Sequence, residues 1–152
     1  MPRDYIMRMV EQIAAMLASI LARREAGYVE QARQEMDGHC LRTVGLTLER
    51  LKGLSPEAVA QLLAENGALQ PVRAVTLVEL LLIDAELNEE QGKVAEAMPS
   101  RVHAACLLAD SIEALGSEDR VIYREKLKGV ADKLGELRTH PYISERLRRH
   151  GL

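Results

Sequence analysis

Isolated glycines divide this chain into segments rich in leucine and alanine, and this division limits the folds that it can adopt. Gly27, Gly92 and Gly116 each stand between two segments long enough to form helices. Leucine and alanine are strong helix formers, and glycine can leave a helix through a left-handed residue without steric cost. No run of β-branched residues alternates with polar ones over the length of a strand. The sequence therefore predicts an all-α protein.

Apolar periodicity and the residues that begin or end helices predict about six to seven helices. The clearest start is Ser55-Pro56-Glu57, where a hydroxyl can cap the helix and a proline occupies its first turn. Pro99 is expected close to the start of the fifth helix, because proline lacks the N–H that a helix interior uses. The segments are about 4–26, 29–51, 56–66, 71–90, 99–115, 117–137 and 141–150.

Two of these segments have distinctive faces. The segment 71–90 is apolar on nearly all sides, with Glu79, Glu86 and Glu90 on one narrow strip, so we expect it to be the central helix. The sixth segment carries an apolar stripe that fits packing against the bundle or against a partner helix. The stripe consists of Tyr123, Leu127, Val130, Leu134 and Leu137. A homodimer could form through this stripe or through the outer face of the first helix.

The length and charge of the chain narrow the classes of protein further. A chain of 152 residues with a net charge of -3 is expected to form a single helical domain over 1–152. The slight acidity argues against binding nucleic acid, which needs a basic face. No apolar run reaches the ~20 residues that span a bilayer, so we expect no membrane partner. Cys40 and Cys106 are too few for a disulfide framework and suit reduced thiols in a cytoplasmic protein.

Two hexapeptides in the chain share their spacing at an offset of 65 residues, Gly27 to Ala32 and Gly92 to Ala97. The same offset aligns Val10 with Val75 and Met16 with Leu81. This pattern predicts an internal duplication, 4–66 and 69–137. The alternative is that two antiparallel amphipathic hairpins converged on one turn sequence.

The spacing of Gly27, Val29 and Ala32, and of Gly92, Val94 and Ala97, resembles the inter-helix turn of tetratricopeptide repeats. The offset is 65 residues instead of the family's ~34, and the chain contains no Trp or Phe, which mark that repeat. The likeness is therefore to the helical hairpin and not to a regular array. It implies TPR-like hairpins in a right-handed α-α superhelical bundle.

The opening Asp4-Tyr5-Ile6-Met7-Arg8, followed by Glu11-Gln12-Ile13, is similar to the start of a family of uncharacterised bacterial proteins. Members of that family begin with a segment of the type Asp-x-Ile-Met-Arg-x-Ile-Glu-Gln and continue into a helical hairpin. The resemblance covers about the first third of the chain. It implies a bacterial origin and a TPR-like fold, and it implies no chemistry.

The fifth predicted helix carries ligand-capable side chains along one stripe: His103, Cys106, Asp110 and Glu113. Imidazole and thiolate suit zinc, and residues three apart on a helix can reach one ion. The second helix carries Glu35, His39 and Cys40, so a site across two helices is conceivable. The competing interpretation is that the cysteines are buried small hydrophobes and the charged residues form a solvated edge.

A second set of candidates is acidic and lies on the segment 71–90: Glu79, Glu86, Glu89 and Glu90, with Asp84 on a more apolar side of the same helix. Paired carboxylates in a groove of low dielectric constant can act as acid and base. A glutamate strip on a buried helix is more often its only wet face. We therefore assign no catalytic, cofactor-binding or metal-binding residue from the sequence.

These observations favour a non-catalytic protein-interaction or scaffolding module with an unknown protein partner, because packed helical hairpins expose a concave surface. The alternative is a small metal-dependent enzyme that uses His, Cys and carboxylate residues of the second and fifth helices. A third class, nucleic-acid or membrane binding through the basic Arg146, Arg148 and Arg149, is the least favoured. We interpret those arginines as complementing the end of a helix dipole.

Overall fold

The computed structural model describes the backbone of residues 2–152 and the side chains of residues 11–152. The α-helices in that range are α1 (Pro2–Glu25), α2 (Val29–Val44), α3 (Leu48–Lys52), α4 (Pro56–Leu63), α5 (Pro71–Glu90), α6 (Val94–Ser111), α7 (Ser117–Asp132) and α8 (Pro141–Arg148). Short 3-10 helices follow α6 and α7, at Ile112–Ala114 and Gly135–Thr139. The strands β1 (Ala64–Glu65) and β2 (Ala68–Leu69) form one small antiparallel hairpin. The all-α prediction is confirmed.

The antiparallel pair α5 and α6 lies at the centre of the molecule. Helices α1 and α2 pack against α5, while α3, α4, α7 and α8 pack against α6. The fully buried leucines of the pair include Leu77, Leu80, Leu81, Leu87 and Leu108. The prediction that the segment 71–90 is the central helix is confirmed, with the bounds Pro71–Glu90.

The two hairpins, α1–α2 and α5–α6, are joined by turns of the same geometry. Gly27 has a φ of 86° and Gly92 a φ of 75°, the left-handed region that glycine enters without cost. The residue after each glycine donates its N–H back into the preceding helix, at 2.8 Å from Tyr28 to the carbonyl of Arg23 and at 2.7 Å from Lys93 to that of Asn88. The alanine five positions after each glycine is fully buried. The shared spacing therefore makes the same turn twice, and the internal duplication stays a prediction.

Apolar periodicity predicts one packed face on the first helix, and the structure buries most of the described part of that face, although Leu21 is 37% exposed. Ile13, Met16 and Ile20 are at most 8% exposed and belong to the core. Other members of that predicted face, among them Ile6, Met9 and Val10, have side chains outside the described residues. The opening segment Asp4 to Arg8, which carries the bacterial family resemblance, lies there as well.

The predicted second helix, 29–51, is wrong in its extent. It ends at Val44 because Gly45, with a φ of 78°, donates its N–H back to the carbonyl of Leu41 at 2.8 Å. A separate helix α3 then begins, since the Thr47 side chain accepts a hydrogen bond from the Arg50 N–H. This division explains why the described chain has eight α-helices instead of six to seven.

The start predicted for the fifth helix is also wrong. Helix α6 begins at Val94 and contains Pro99 in its interior. The missing N–H of Pro99 leaves the Ala95 carbonyl without its usual helical donor. Ala95 itself is an exposed residue.

The segment after α4 contains a feature that the sequence prediction missed. Helix α4 ends at Leu63, and Asn66-Gly67 forms a hairpin turn in which both residues have positive φ, 55° and 83°. Two such residues are what a type I′ turn between strands requires. The predicted helix end at Asn66-Gly67 therefore lies at the turn of a β-hairpin.

The apolar stripe on the sixth predicted helix packs inside the molecule. Leu127, Val130 and Leu134 are at most 7% exposed, while Leu137 is 41% exposed in the 3-10 helix that follows α7. The buried part of the stripe is part of this chain's own core, so it is not a face on which a second copy can dock. Among the helices of the described range, none is both long and apolar enough to cross a lipid bilayer.

Candidate functional site

An open groove runs between α2, α3, the C-terminal half of α5 and the start of α6. Its volume of about 770 Å³ falls in the range of ~300–1,000 Å³ that is usual for ligand sites. The residues that line it are Glu30, Arg33, Gln34, Met36, Asp37, Leu48, Glu49, Lys52, Asp84, Asn88, Gln91, Lys93, Ala95, Glu96 and Pro99.

The floor of the groove is built around the carboxylate of Asp84, which is only 4% exposed. Two cations hold it from neighbouring helices. Arg33 of α2 donates to Oδ1 at 3.1 Å, and Lys52 of α3 donates to Oδ2 at 2.8 Å. A buried carboxylate is costly unless it is paired and hydrogen-bonded, so these contacts fix α2 and α3 against α5.

Neutral side chains complete this network. The Ser100 hydroxyl of α6 donates to Asp84 Oδ2 at 2.6 Å, and the Asn88 amide donates to the same oxygen at 3.2 Å. The Arg33 guanidinium also donates to Asn88 Oδ1 at 3.1 Å and to Gln91 Oε1 at 3.3 Å. The floor is therefore a satisfied polar network that joins four helices.

Both cations of the floor keep hydrogen-bond donors that the network does not use. An ammonium has three N–H donors and a guanidinium has five. Among the described residues, Lys52 donates one side-chain bond and Arg33 donates three. Their side chains are 17% and 25% exposed, so unused donors can meet a ligand in the groove.

The rim of the groove is acidic. Glu30, Glu49 and Glu96 lie in the first turns of α2, α3 and α6, and all three are exposed. Within residues 11–152 none of the three has a side-chain hydrogen bond or an ion pair, whereas Asp37 accepts the Leu48 N–H at 3.2 Å. Five acidic and three basic residues line the groove, so its formal charge is -2.

The side chains of the predicted metal stripe point to different surroundings. His103 is 3% exposed, with Nε2 3.4 Å from the Lys52 carbonyl oxygen and Nδ1 buried without a hydrogen-bond partner among the described residues. Burial lowers the pKa of His103 and raises the pKa of the Cys106 thiol to about 12. The thiol is therefore protonated at neutral pH.

The carboxylates of that stripe are engaged elsewhere. Asp110 accepts bonds from Arg146 at 2.9 Å and Arg149 at 2.8 Å, while the exposed Glu113 lies 3.5 Å from Arg124. Arg146 and Arg149 thus bind a carboxylate of α6, an interaction that the helix-dipole interpretation did not include.

The candidates on α2 remain separate from the stripe on α6. His39 Nδ1 lies 2.8 Å from Arg42, and burial together with this cation lowers the pKa of His39. Cys40 is fully buried, and burial raises the pKa of its thiol to about 12. Over the part of the chain that the structure describes, no three His, Cys, Asp or Glu residues are grouped so that they could hold a metal ion.

The acidic candidates of α5 are each bound to a cation from another helix. Glu79 pairs with Lys126, Glu89 with Arg101, and Glu86 and Glu90 with Arg24. The prediction that Glu79 lies on a wet strip is wrong, since α7 covers it and leaves it 5% exposed. Glu86 and Glu90 are exposed, as the strip predicted.

Sequence reasoning missed Arg33, Lys52 and Ser100 as parts of one site. The available signal was Asp84 and Asn88, a polar pair four residues apart on a helix that is otherwise apolar on that side. Such a pair indicates a buried polar network, but it does not identify the residues on other helices that complete it.

Comparison of the chain with protein-family models, with curated proteins and with solved structures gave no match.

Proposed function

We propose that this protein is a non-catalytic interaction module that holds a short segment of a partner protein in the groove between α2, α3, α5 and α6. The observation that carries this proposal is the groove itself, an open space of about 770 Å³ over a rigid polar floor. The floor is rigid because Asp84 is bonded to side chains of α2, α3 and α6 as well as to Asn88 of its own helix.

The groove offers both kinds of partner that a peptide backbone needs. Every residue of an extended segment brings an N–H donor and a carbonyl acceptor that must be satisfied when buried. Arg33 and Lys52 supply unused donors for carbonyls. Ala95 also lines the groove, and we propose its carbonyl, which Pro99 leaves without a helical donor, as the acceptor for an N–H.

The reactive groups of the protein support a binding role over the metal-dependent alternative. Both thiols are buried and protonated at neutral pH, and Asp110 is bound to two arginines. Zinc binding would have to release the thiol protons against raised pKa values and displace two arginines from Asp110, and both steps make it less favourable.

We further propose that the two hairpins form a TPR-like right-handed superhelical arrangement and that the chain belongs to the bacterial family that its opening segment resembles. The two turns with the same hydrogen bonds at an offset of 65 residues support the first of these proposals. A protein of this kind fits a cytoplasmic role in assembling other proteins.

The test is an array of short random-sequence peptides probed with the fluorescently labelled protein. We expect the wild-type protein to bind a reproducible subset. The variant Ala95→Trp, which places a large side chain in the groove, should lose that subset. The matched control is Ala22→Trp, because Ala22 is exposed on α1 and does not line this groove.

Two outcomes would contradict the proposed function. One is the absence of any peptide bound above background by the wild-type protein. The other is an unchanged bound subset in Ala95→Trp, which would place the binding surface elsewhere. Circular dichroism of both tryptophan variants tests whether each retains the helical fold.

A further inference from the structure

The charges that line the groove differ between its rim and its floor. The cations of the floor, Arg33 and Lys52, are already committed to Asp84. The rim glutamates Glu30, Glu49 and Glu96 have no cation partner among the described residues. In the described range, three unpaired carboxylates stand against the one unpaired ammonium of Lys93, so a ligand that enters the groove meets a net negative charge.

We propose that the partner segment is basic, and that its lysine or arginine side chains pair with Glu30, Glu49 and Glu96 while its backbone lies on the Asp84 floor. This inference rests on the proposed function and names the chemistry of the partner. Opposite charges at the mouth of a binding site raise the rate of encounter and select the partner.

The same charges disfavour anionic occupants. The formal charge of the groove is -2, and Lys93 is the single basic lining residue in the described range with no side-chain partner. Nucleic acids and anionic membrane surfaces carry dense negative charge and need a basic face. A protein segment rich in Lys or Arg carries the positive charge that the negative groove attracts.

The rim glutamates also have a structural role that the experiment must separate from binding. Each lies in the first turn of a helix, where a carboxylate interacts favourably with the positive end of the helix dipole and stabilises the helix. Three other exposed glutamates lie in the first turns of α4, α7 and the last 3-10 helix and outside the groove: Glu57, Glu118 and Glu136. They supply a matched control.

The experiment uses the full chain on the peptide array described above, followed by fluorescence polarisation with the peptide that binds best. We expect the bound subset to be enriched in Lys and Arg relative to the whole array. The variant Glu30→Gln/Glu49→Gln/Glu96→Gln should lose this enrichment and bind the best peptide about tenfold more weakly. The variant Glu57→Gln/Glu118→Gln/Glu136→Gln should keep the Lys and Arg enrichment and the affinity for the best peptide. The affinity of the wild-type protein should fall as salt is added.

The outcomes distinguish the two proposals. A bound subset that Ala95→Trp abolishes but that is neutral or acidic would overturn the basic partner and leave the interaction module intact. Equal weakening in the two triple variants would also overturn it, since the effect would then belong to helix stability or overall charge. The absence of any groove-dependent peptide would overturn both.

Discussion

His103 is an imidazole buried at the contact between two helices. It lies on α6 and is 3% exposed, with Nε2 facing the backbone carbonyl of Lys52 at the end of α3. Burial lowers its pKa, the nearby Lys52 charge acts in the same direction, and the backbone carbonyls of Lys52 and Leu54 oppose the shift. His103 therefore remains neutral in the folded protein at pH values where an exposed histidine begins to take up a proton.

This shift makes stability depend on pH through His103. Because the folded-state pKa is below the unfolded one, the unfolded chain binds more protons, and stability falls as the pH decreases below about 6.5. The free energy of unfolding decreases by at most ~1.4 kcal/mol per pH unit for one such proton. His103→Gln keeps a donor for the Lys52 carbonyl and removes the titration. We therefore expect it to flatten the pH dependence of the free energy of unfolding, measured with urea between about pH 7.5 and 5.5.

Two comparisons isolate this effect. His39 also makes the protein less stable at low pH, because burial and Arg42 lower its pKa. It is present in both wild type and His103→Gln, so the difference between their slopes measures the contribution of His103. The double variant His39→Gln/His103→Gln should have a flatter pH dependence than His103→Gln alone. A slope in His103→Gln equal to that of wild type would show that His103 is not a source of the acid sensitivity.

The candidate site was predictable only in part at the residue scale. Asp84 was expected on the more apolar side of its helix, and it is buried. Its partners Arg33, Lys52 and Ser100 come from positions 51, 32 and 16 residues away, and nothing local in the sequence links them. Local periodicity assigns a residue to a face, whereas the pairing of faces depends on how the helices pack.

At the scale of elements, the two hairpin turns show how far local sequence determines structure. The glycine, the small alanine and their spacing predicted both turns because each turn closes within a few residues. The errors concern competing local signals. Apolar periodicity predicted one helix past Gly45, whereas Gly45 ends α2. Pro99 predicted a helix start, whereas α6 begins at Val94 directly after the turn and contains Pro99 in its interior.

The turn geometry predicts opposite effects of the same substitution at two glycines. Gly92 has a φ of 75°, so Gly92→Ala forces a left-handed alanine and should cost about 1–2 kcal/mol of stability. Gly129 lies inside α7, is exposed, and has no atom within 4 Å of an added Cβ. Gly129→Ala should therefore stabilise the protein by about 0.5–1 kcal/mol. Urea unfolding of both variants measures the two values.

Gly27 supplies the internal check on that prediction. Its φ of 86° and its open surroundings match those of Gly92, so Gly27→Ala should destabilise the protein in the same direction. If alanine at Gly27 and Gly92 changed stability with opposite signs, the two turns would not be energetically equivalent despite their shared hydrogen bonds.

At the scale of the whole molecule, the central helix α5 organises its neighbours through its carboxylates. Glu79, Asp84, Glu86, Glu89 and Glu90 bind cations from α1, α2, α3, α6 and α7. Each exposed ion pair contributes only about 0–1 kcal/mol to the stability of the protein. The buried contacts of Glu79 and Asp84 restrict which helix faces can meet, because an unpaired buried carboxylate is costly.

Helix α8 is attached to this assembly in a different way, through a carboxylate of α6. Asp110 binds Arg146 and Arg149, the His150 ring lies 2.7 Å from the Ala109 carbonyl oxygen, and Ile143 and Leu147 of α8 are at most 4% exposed. Since α8 packs mainly on α6 and on the adjoining 3-10 helix, we expect its detachment to leave the α5–α6 pair in place. These features define α8 as a unit that can open locally.

Asp110→Asn tests this division of the molecule. The variant removes the charge that both arginines bind, so α8 should detach more often while α5 and α6 remain packed. Hydrogen–deuterium exchange should show faster exchange of the α8 amides and unchanged exchange in α5, with a loss of about 1–3 kcal/mol in the local opening free energy. Glu125→Gln is the control, because Glu125 is exposed on α7 and has no side-chain hydrogen bond or ion pair within residues 11–152, so this variant should leave α8 unchanged. Acceleration in α5 equal to that in α8 would show that the molecule opens as one cooperative unit, with α8 inseparable from the core.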